Sequence, residues 1–193
     1  MPNAIVIIGN AGHRALSERP ALAILAMEAI GSASNVDSFL LDLFVLLLGG
    51  DAALATRIYL KLEIRTAKTV AITEAVKSIG DERYRQIALA LVAISKSNQK
   101  SRDKLAHHVW GISPQLPDAL LLLDPKSNGD DRDQIFVYRA NDFQELITAN
   151  DRLCGFGLTL TFILKGHVAN RGGALYDELC KAPEIRERLD HLG

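Results

Sequence analysis

At 193 residues, 48 % apolar and 23 % charged, the chain has the length and composition of one globular domain with a substantial core. Its formal net charge of −1 excludes a global attraction to nucleic acid or to an anionic membrane, so any polyanion site has to come from a local basic patch. Two cysteines, Cys154 and Cys180, are too few for a disulfide framework or a zinc-ligand set, which points to core thiols in a reducing cytoplasm.

The N-terminal MPNAIVIIGNAGHRALSERP has no basic region before its apolar run and no cleavage site, so it does not read as a signal peptide. Its IIGNAG lacks the third glycine and the βαβ context of a nucleotide-binding turn. Ser17 to about Ser32, with Pro20 in the first turn, predicts a first helix. Asn35 is expected to cap a second, in which Phe39, Leu40, Leu43, Phe44 and Leu47 repeat at three and four residues until Gly49 and Gly50 stop it. Its run FLLDLFVLLL, broken by Asp42, falls short of the roughly 20 residues a spanning helix needs, so a core helix and no membrane partner are expected.

Asp51 is expected to cap a long pattern ending at Gly80, with a bend around Thr66. Asp81 caps the next, whose inner stripe is Tyr84, Ile87, Leu91, Ile94, Leu105 and Val109; SKSNQKS either continues this helix or splits it. Beyond Gly111 the prolines and two β-prone runs, Ala119 to Leu123 and Ile135 to Tyr138, predict a β-hairpin insertion over 119–138. Its acidic turn NGDDRD lacks the spacing of a calcium loop and reads as solvated. Asn141 is expected to cap a long apolar helix, followed by one or two short amphipathic helices. The sum is an all-α bundle of five to seven helices with a small β-hairpin, forming a single domain over 1–193, with no internal repeat.

One segment interrupts this plan. On a helix advancing about 100° per residue, Arg102 falls in line with the apolar stripe, between Leu105 and Val109 on one flank and Ala106 on the other, with Asn98 one turn before it. A guanidinium there has to be internally satisfied or to open onto a cleft or an interface. Asp103 and His107 form an i,i+4 pair, so the carboxylate is placed to orient the imidazole. His108 falls on the other side near Lys104 and reads as solvated or as a secondary phosphate contact. Trp110 is placed to pack, or to stack a base. His13 and His167 have no local partners that argue for a role.

The segment RDKLAHHVWG, Arg102 to Gly111, resembles the motif of the HEPN superfamily: an arginine, usually followed by Asn, Asp or His, then a histidine after a spacer of four to six residues. Arg102, Asp103 and His107 match with a spacer of four, and His108 with five. RERLDH also fits through Arg186 and His191, but near the terminus, where exposed charges are ordinary. Many members of that superfamily are helical, dimeric, metal-independent RNA endonucleases of toxin or phage-defence systems, and others are non-catalytic domains.

The resemblance therefore implies a ribonuclease in which Arg102 and His107 are catalytic and Asp103 orients, with His108, Lys104, Asn98, Lys100 and Trp110 on the substrate side and Lys96 guiding the backbone. RNA, a second copy of the chain and an antitoxin-like inhibitor are the implied partners, and no metal or other cofactor is called for. The alternative is a non-catalytic HEPN-like helical dimer that binds a nucleotide or a protein.

Overall fold

Asp51 and the glycines before it show how closely local chemistry sets the element ends in the computed structural model, which describes residues 8–126, 135–168 and 173–191. Gly49 and Gly50 adopt φ of 64° and 67°, a left-handed backbone that costs glycine little and ends the preceding helix. Asp51 Oδ1 then accepts from the amides of Ala53 and Leu54 at 2.9 and 3.1 Å and starts the next one. The first seven residues and the NGDDRD turn lie outside the described residues.

Among the described residues the order is β1 (Asn10–Ala11), α1 (His13–Glu18), α2 (Pro20–Leu48), α3 (Ala52–Lys61), α4 (Arg65–Val76), α5 (Glu82–His107), β2 (Val109–Ser113), β3 (Leu116–Leu123), β4 (Ile135–Arg139), α6 (Ala140–Leu164), α7 (Gly173–Lys181) and α8 (Pro183–Asp190). The chain is thus mostly helical, as expected. The β excursion is larger than a hairpin: β1, β2, β3 and β4 form one antiparallel sheet in that order.

Asn35 does not cap a second helix; it lies inside α2, which runs unbroken because Ala29, Ala33, Val36 and Leu40 keep a buried line at three- and four-residue spacing. α2 is long and apolar enough to cross a bilayer by length and composition. Its Leu22, Ala26 and Ala29 nonetheless fill one core, and its Val36, Phe39, Leu40, Leu43 and Phe44 fill another.

The expected bend comes earlier than Thr66: Leu62 and Ile64 are extended, and α4 starts at Arg65. Tyr59 and Ile72 are both buried but lie 13 residues apart, about 220° out of phase on a continuous helix, so the chain has to break between them. SKSNQKS does not interrupt α5, where Ser95 is buried with its hydroxyl donating to Val92 O at 2.7 Å. Asp142, and not Asn141, caps α6: its Oδ2 accepts from the Arg139 amide at 2.6 Å.

The expected single domain resolves into two compact units, one of residues 1–33 and 99–149 and the other of residues 34–98 and 150–193. The first packs α1, the first turns of α2, the end of α5, the sheet and the start of α6 around Leu105, Ile112, Leu120, Leu122 and Phe143. The second is wholly helical and centres on Leu43, Ile72, Leu91, Leu160 and Ile185.

Two predictions arise from the helical unit. Gly157 on α6 lies against Phe39, and a Cβ at this position would overlap the ring. Gly157→Ala is therefore expected to lose about 1–3 kcal/mol through overpacking despite alanine's better helix propensity. Phe39→Leu in the same chain should recover part of that loss in urea unfolding.

Tyr59 is 4 % exposed. Burial, reinforced by Asp37, pushes its phenol up from 10.0 to about 12. The neutral phenol is the form folding favours, so its contribution is complete below pH 10 and is lost as the pH rises through about 12. Stability measured by urea midpoints across that window should fall by about 2 kcal/mol less in Tyr59→Phe than in the native chain.

Candidate functional site

The final two turns of α5 carry the segment that the sequence singles out. Asp81 starts this helix, accepting from the Arg83 amide at 3.0 Å, and the His108 amide closes it by donating to Lys104 O at 3.0 Å. Lys104 and His107 stand in the last turn, where positive charge complements the negative end of the helix. Leu105, 1 % exposed, is the anchor that holds this turn in the core of its unit.

Arg102 lies around the helix between Leu105 and Gln99, which is itself 7 % exposed. Its side chain is nevertheless 29 % exposed, so the guanidinium leaves the core line and reaches solvent. Nη1 donates to Asp103 Oδ1 at 3.4 Å, a long ion pair between neighbours. The carboxylate that the spacing sets one turn before His107 is thus engaged by Arg102. His107 is exposed at the end of the helix, and Ala106 beside it is exposed and small.

The other residues expected on the substrate side separate. Lys100 and Lys96 are exposed on α5. Lys104 turns instead onto β4, its Nζ 3.7 Å from the centre of the Phe136 ring, a cation–π contact. His108 is not the solvated histidine expected: it is half-buried with its ring 5.8 Å from Phe136, and its Nδ1 is shut from solvent without a hydrogen-bond partner. The i,i+4 spacing of Lys104 and His108 placed them on one side of the helix. What they share there, Phe136, comes from a strand far along the chain.

Asn98 belongs to the helical unit, where Nδ2 donates to Oδ1 of the buried Asn150 at 3.1 Å and ties α5 to α6. Val109 and Trp110 do not extend the helical stripe, because they are the first residues of β2, paired with Leu123 and Leu122. Trp110 is half-buried against the core of its unit, so packing accounts for it. Arg186 and His191 are exposed on and just after α8.

Cys154 and Cys180 are half-buried, and burial raises the Cys154 thiol above its ordinary value, with Asp151 adding to the effect. Among the described residues, no group of three or more His, Cys, Asp or Glu side chains is placed to hold a metal ion.

Chemically, the end of α5 offers a fixed cation, a carboxylate and an imidazole, all open to solvent and mounted on a well-anchored helix turn. Such a set can grip a phosphate and exchange a proton beside it. No family model, curated protein or solved structure matches the chain.

Proposed function

We propose that the chain is a metal-independent RNA endonuclease, a HEPN-like helical bundle of the toxin or phage-defence type, working as a homodimer in the cytoplasm. The observation that carries the reading is that Arg102 and His107 both reach solvent from the last two turns of α5. They stand five residues apart, about 7.5 Å along the helix axis and about 140° around it, and the contact with Asp103, at about 100°, draws the guanidinium toward the His107 side.

RNA supplies its own nucleophile. His107 takes the proton of the 2′-hydroxyl as that oxygen attacks the adjacent phosphorus, and the bond to the leaving 5′-oxygen breaks. Arg102 stabilises the charge that grows on the phosphoryl oxygens, and the strand is left with a 2′,3′-cyclic phosphate end. The departing 5′-oxygen needs a proton, which His107 of a second copy would supply and which gives dimerisation its purpose. Asp103 tunes the pair through its contact with Arg102, and Lys100 and Lys96 attract the strand. An inhibitor protein that covers the end of α5 would silence such an enzyme.

A second reading, a non-catalytic dimer that binds a nucleotide or a protein, is favoured by one observation, the pairing of Arg102 with Asp103 within the helix. Incubation of the purified protein with RNA in excess EDTA separates the two: cyclic-phosphate fragments support the enzyme, and intact RNA at high protein concentration removes it.

A further inference from the structure

A surface groove of about 560 Å³ in the helical unit runs between the second half of α2 and the end of α6. From α2 it is lined by Phe39, Asp42, Val45 and Leu46, which fall within about 120° of that helix. From α6 it is lined by Cys154, Leu158, Thr161, Phe162 and Lys165, which fall within about 100° of theirs. Each helix therefore turns one face to the same groove, and the apolar side chains in it adjoin one another. Phe39, 8 % exposed, lies at the floor, while Leu158 and Phe162 are 54 % and 45 % exposed and stand at the rim. One face thus carries both an apolar recess and two projecting apolar side chains of a kind that could fill it.

Two charges line the groove, Asp42 and Lys165. Both are exposed, and among the described residues neither has an ion-pair partner. A carboxylate and an ammonium left open on one apolar face are complementary to a face that carries the same two groups. A two-fold axis lying in that face, midway between them and perpendicular to the line that joins them, exchanges their positions, so each Asp42 meets the partner's Lys165. A lipid or fatty acid with a single anionic head would answer only Lys165 and leave Asp42 opposed or unpaired; a second copy of the chain answers both.

We propose that this groove is where two copies of the chain meet, in an isologous interface. Leu158 and Phe162 of each copy enter the groove of the other, and two Asp42–Lys165 pairs flank them. The contact gives a surface to the dimer of the nuclease reading but does not rest on that reading, because no residue at the end of α5 lines the groove.

The test is the mass of the purified chain in analytical ultracentrifugation from low to high micromolar concentration, where a native dimer is expected. Asp42→Lys alone and Lys165→Asp alone each set like charges together twice, and each should weaken self-association about 100-fold or more. Mixing these two single variants should restore a dimer, because each then supplies the charges that the other lacks, and a misfolded chain would show no such rescue. Leu158→Gln with Phe162→Gln should abolish the dimer, while the circular dichroism and the urea midpoint in dilute solution stay those of the native chain, because both side chains are exposed.

A native chain that remains monomeric overturns the proposal; if that monomer binds an apolar dye and the Leu158→Gln, Phe162→Gln variant does not, the groove belongs to an apolar ligand instead. A native dimer indifferent to all three variants also overturns it, and assigns the second copy to another surface, which leaves the nuclease reading its partner. Single variants that stay monomeric when mixed overturn the charge pairing and with it the two-fold contact.

Discussion

His107→Ala is expected to slow the cleavage of RNA in EDTA by about 10²–10⁴-fold, the span that a positioned acid–base group contributes. His107 ends α5 in the open, and Leu105, 1 % exposed, holds that turn in place, so removing the imidazole leaves the scaffold intact. The variant should keep the melting temperature of the native chain while losing activity. Arg102→Ala should be comparably inactive, since it removes the cation assigned to the charge that grows on the phosphoryl oxygens, and Arg102→Lys should recover little because the planar fork is lost.

Retention of cleavage by His107→Ala would assign the cut to a contaminant or to another site, with Arg186 and His191 the next pair to test. If the native protein leaves RNA intact while Arg102→Ala lowers the melting temperature or dissociates a dimer, the pair is structural and the non-catalytic reading stands. An unchanged melting temperature and unchanged oligomer mass would remove that second reading in turn.

Phe143→Ala is expected to destabilise the chain by about 3–5 kcal/mol, much of the 5–15 kcal/mol that an ordinary domain possesses. Phe143 is fully buried and stacks on Tyr138 with ring centres 5.4 Å apart and planes at 25°. Leu105, Ile112, Leu120 and Leu122 share its cluster with Leu22 and the small Ala15, Ala26 and Ala29, and in so closely packed a core the truncation leaves a cavity. Phe162, an aromatic of equal size that is 45 % exposed, is the control, and its truncation should cost less than about 1 kcal/mol. Urea midpoints at unchanged slope measure both, and a loss near that of the control would show that Phe143 is not enclosed. Because Leu105 shares this core, Phe143→Ala should also shorten the temperature range over which any activity at His107 survives.

Much of the helical layout is legible residue by residue. Asp51, Asp81, Gly49 and Gly50 carry out their cap and stop roles through backbone a few residues away, and such roles can be read from a short stretch of sequence. The phase of α5 is legible in the same way: Leu105 is buried, and Arg102 stands in the same line but reaches solvent, as arithmetic on the helical repeat permits.

Asn35 shows where such reading stops. A good capping residue is overruled when the burial pattern on both sides is in phase, and the helix passes through it. Val109 likewise keeps helical spacing with Leu105 yet belongs to a strand, because pairing with Leu123 satisfies its backbone better than one more turn would.

The amino-acid sequence by itself determined the caps at Asp51 and Asp81, the stop at Gly49 and Gly50, the β-prone runs 119–123 and 135–138 and the spacing of Arg102, Asp103 and His107, because each depends on residues only a few positions apart. Tertiary structure alone decided the four-stranded sheet, the division into two cores, the break between Tyr59 and Ile72 and the turning of Lys104 and His108 onto Phe136. Those features depend on which distant segments meet, and burial against a remote partner outweighs the modest local preferences by which a sequence is read.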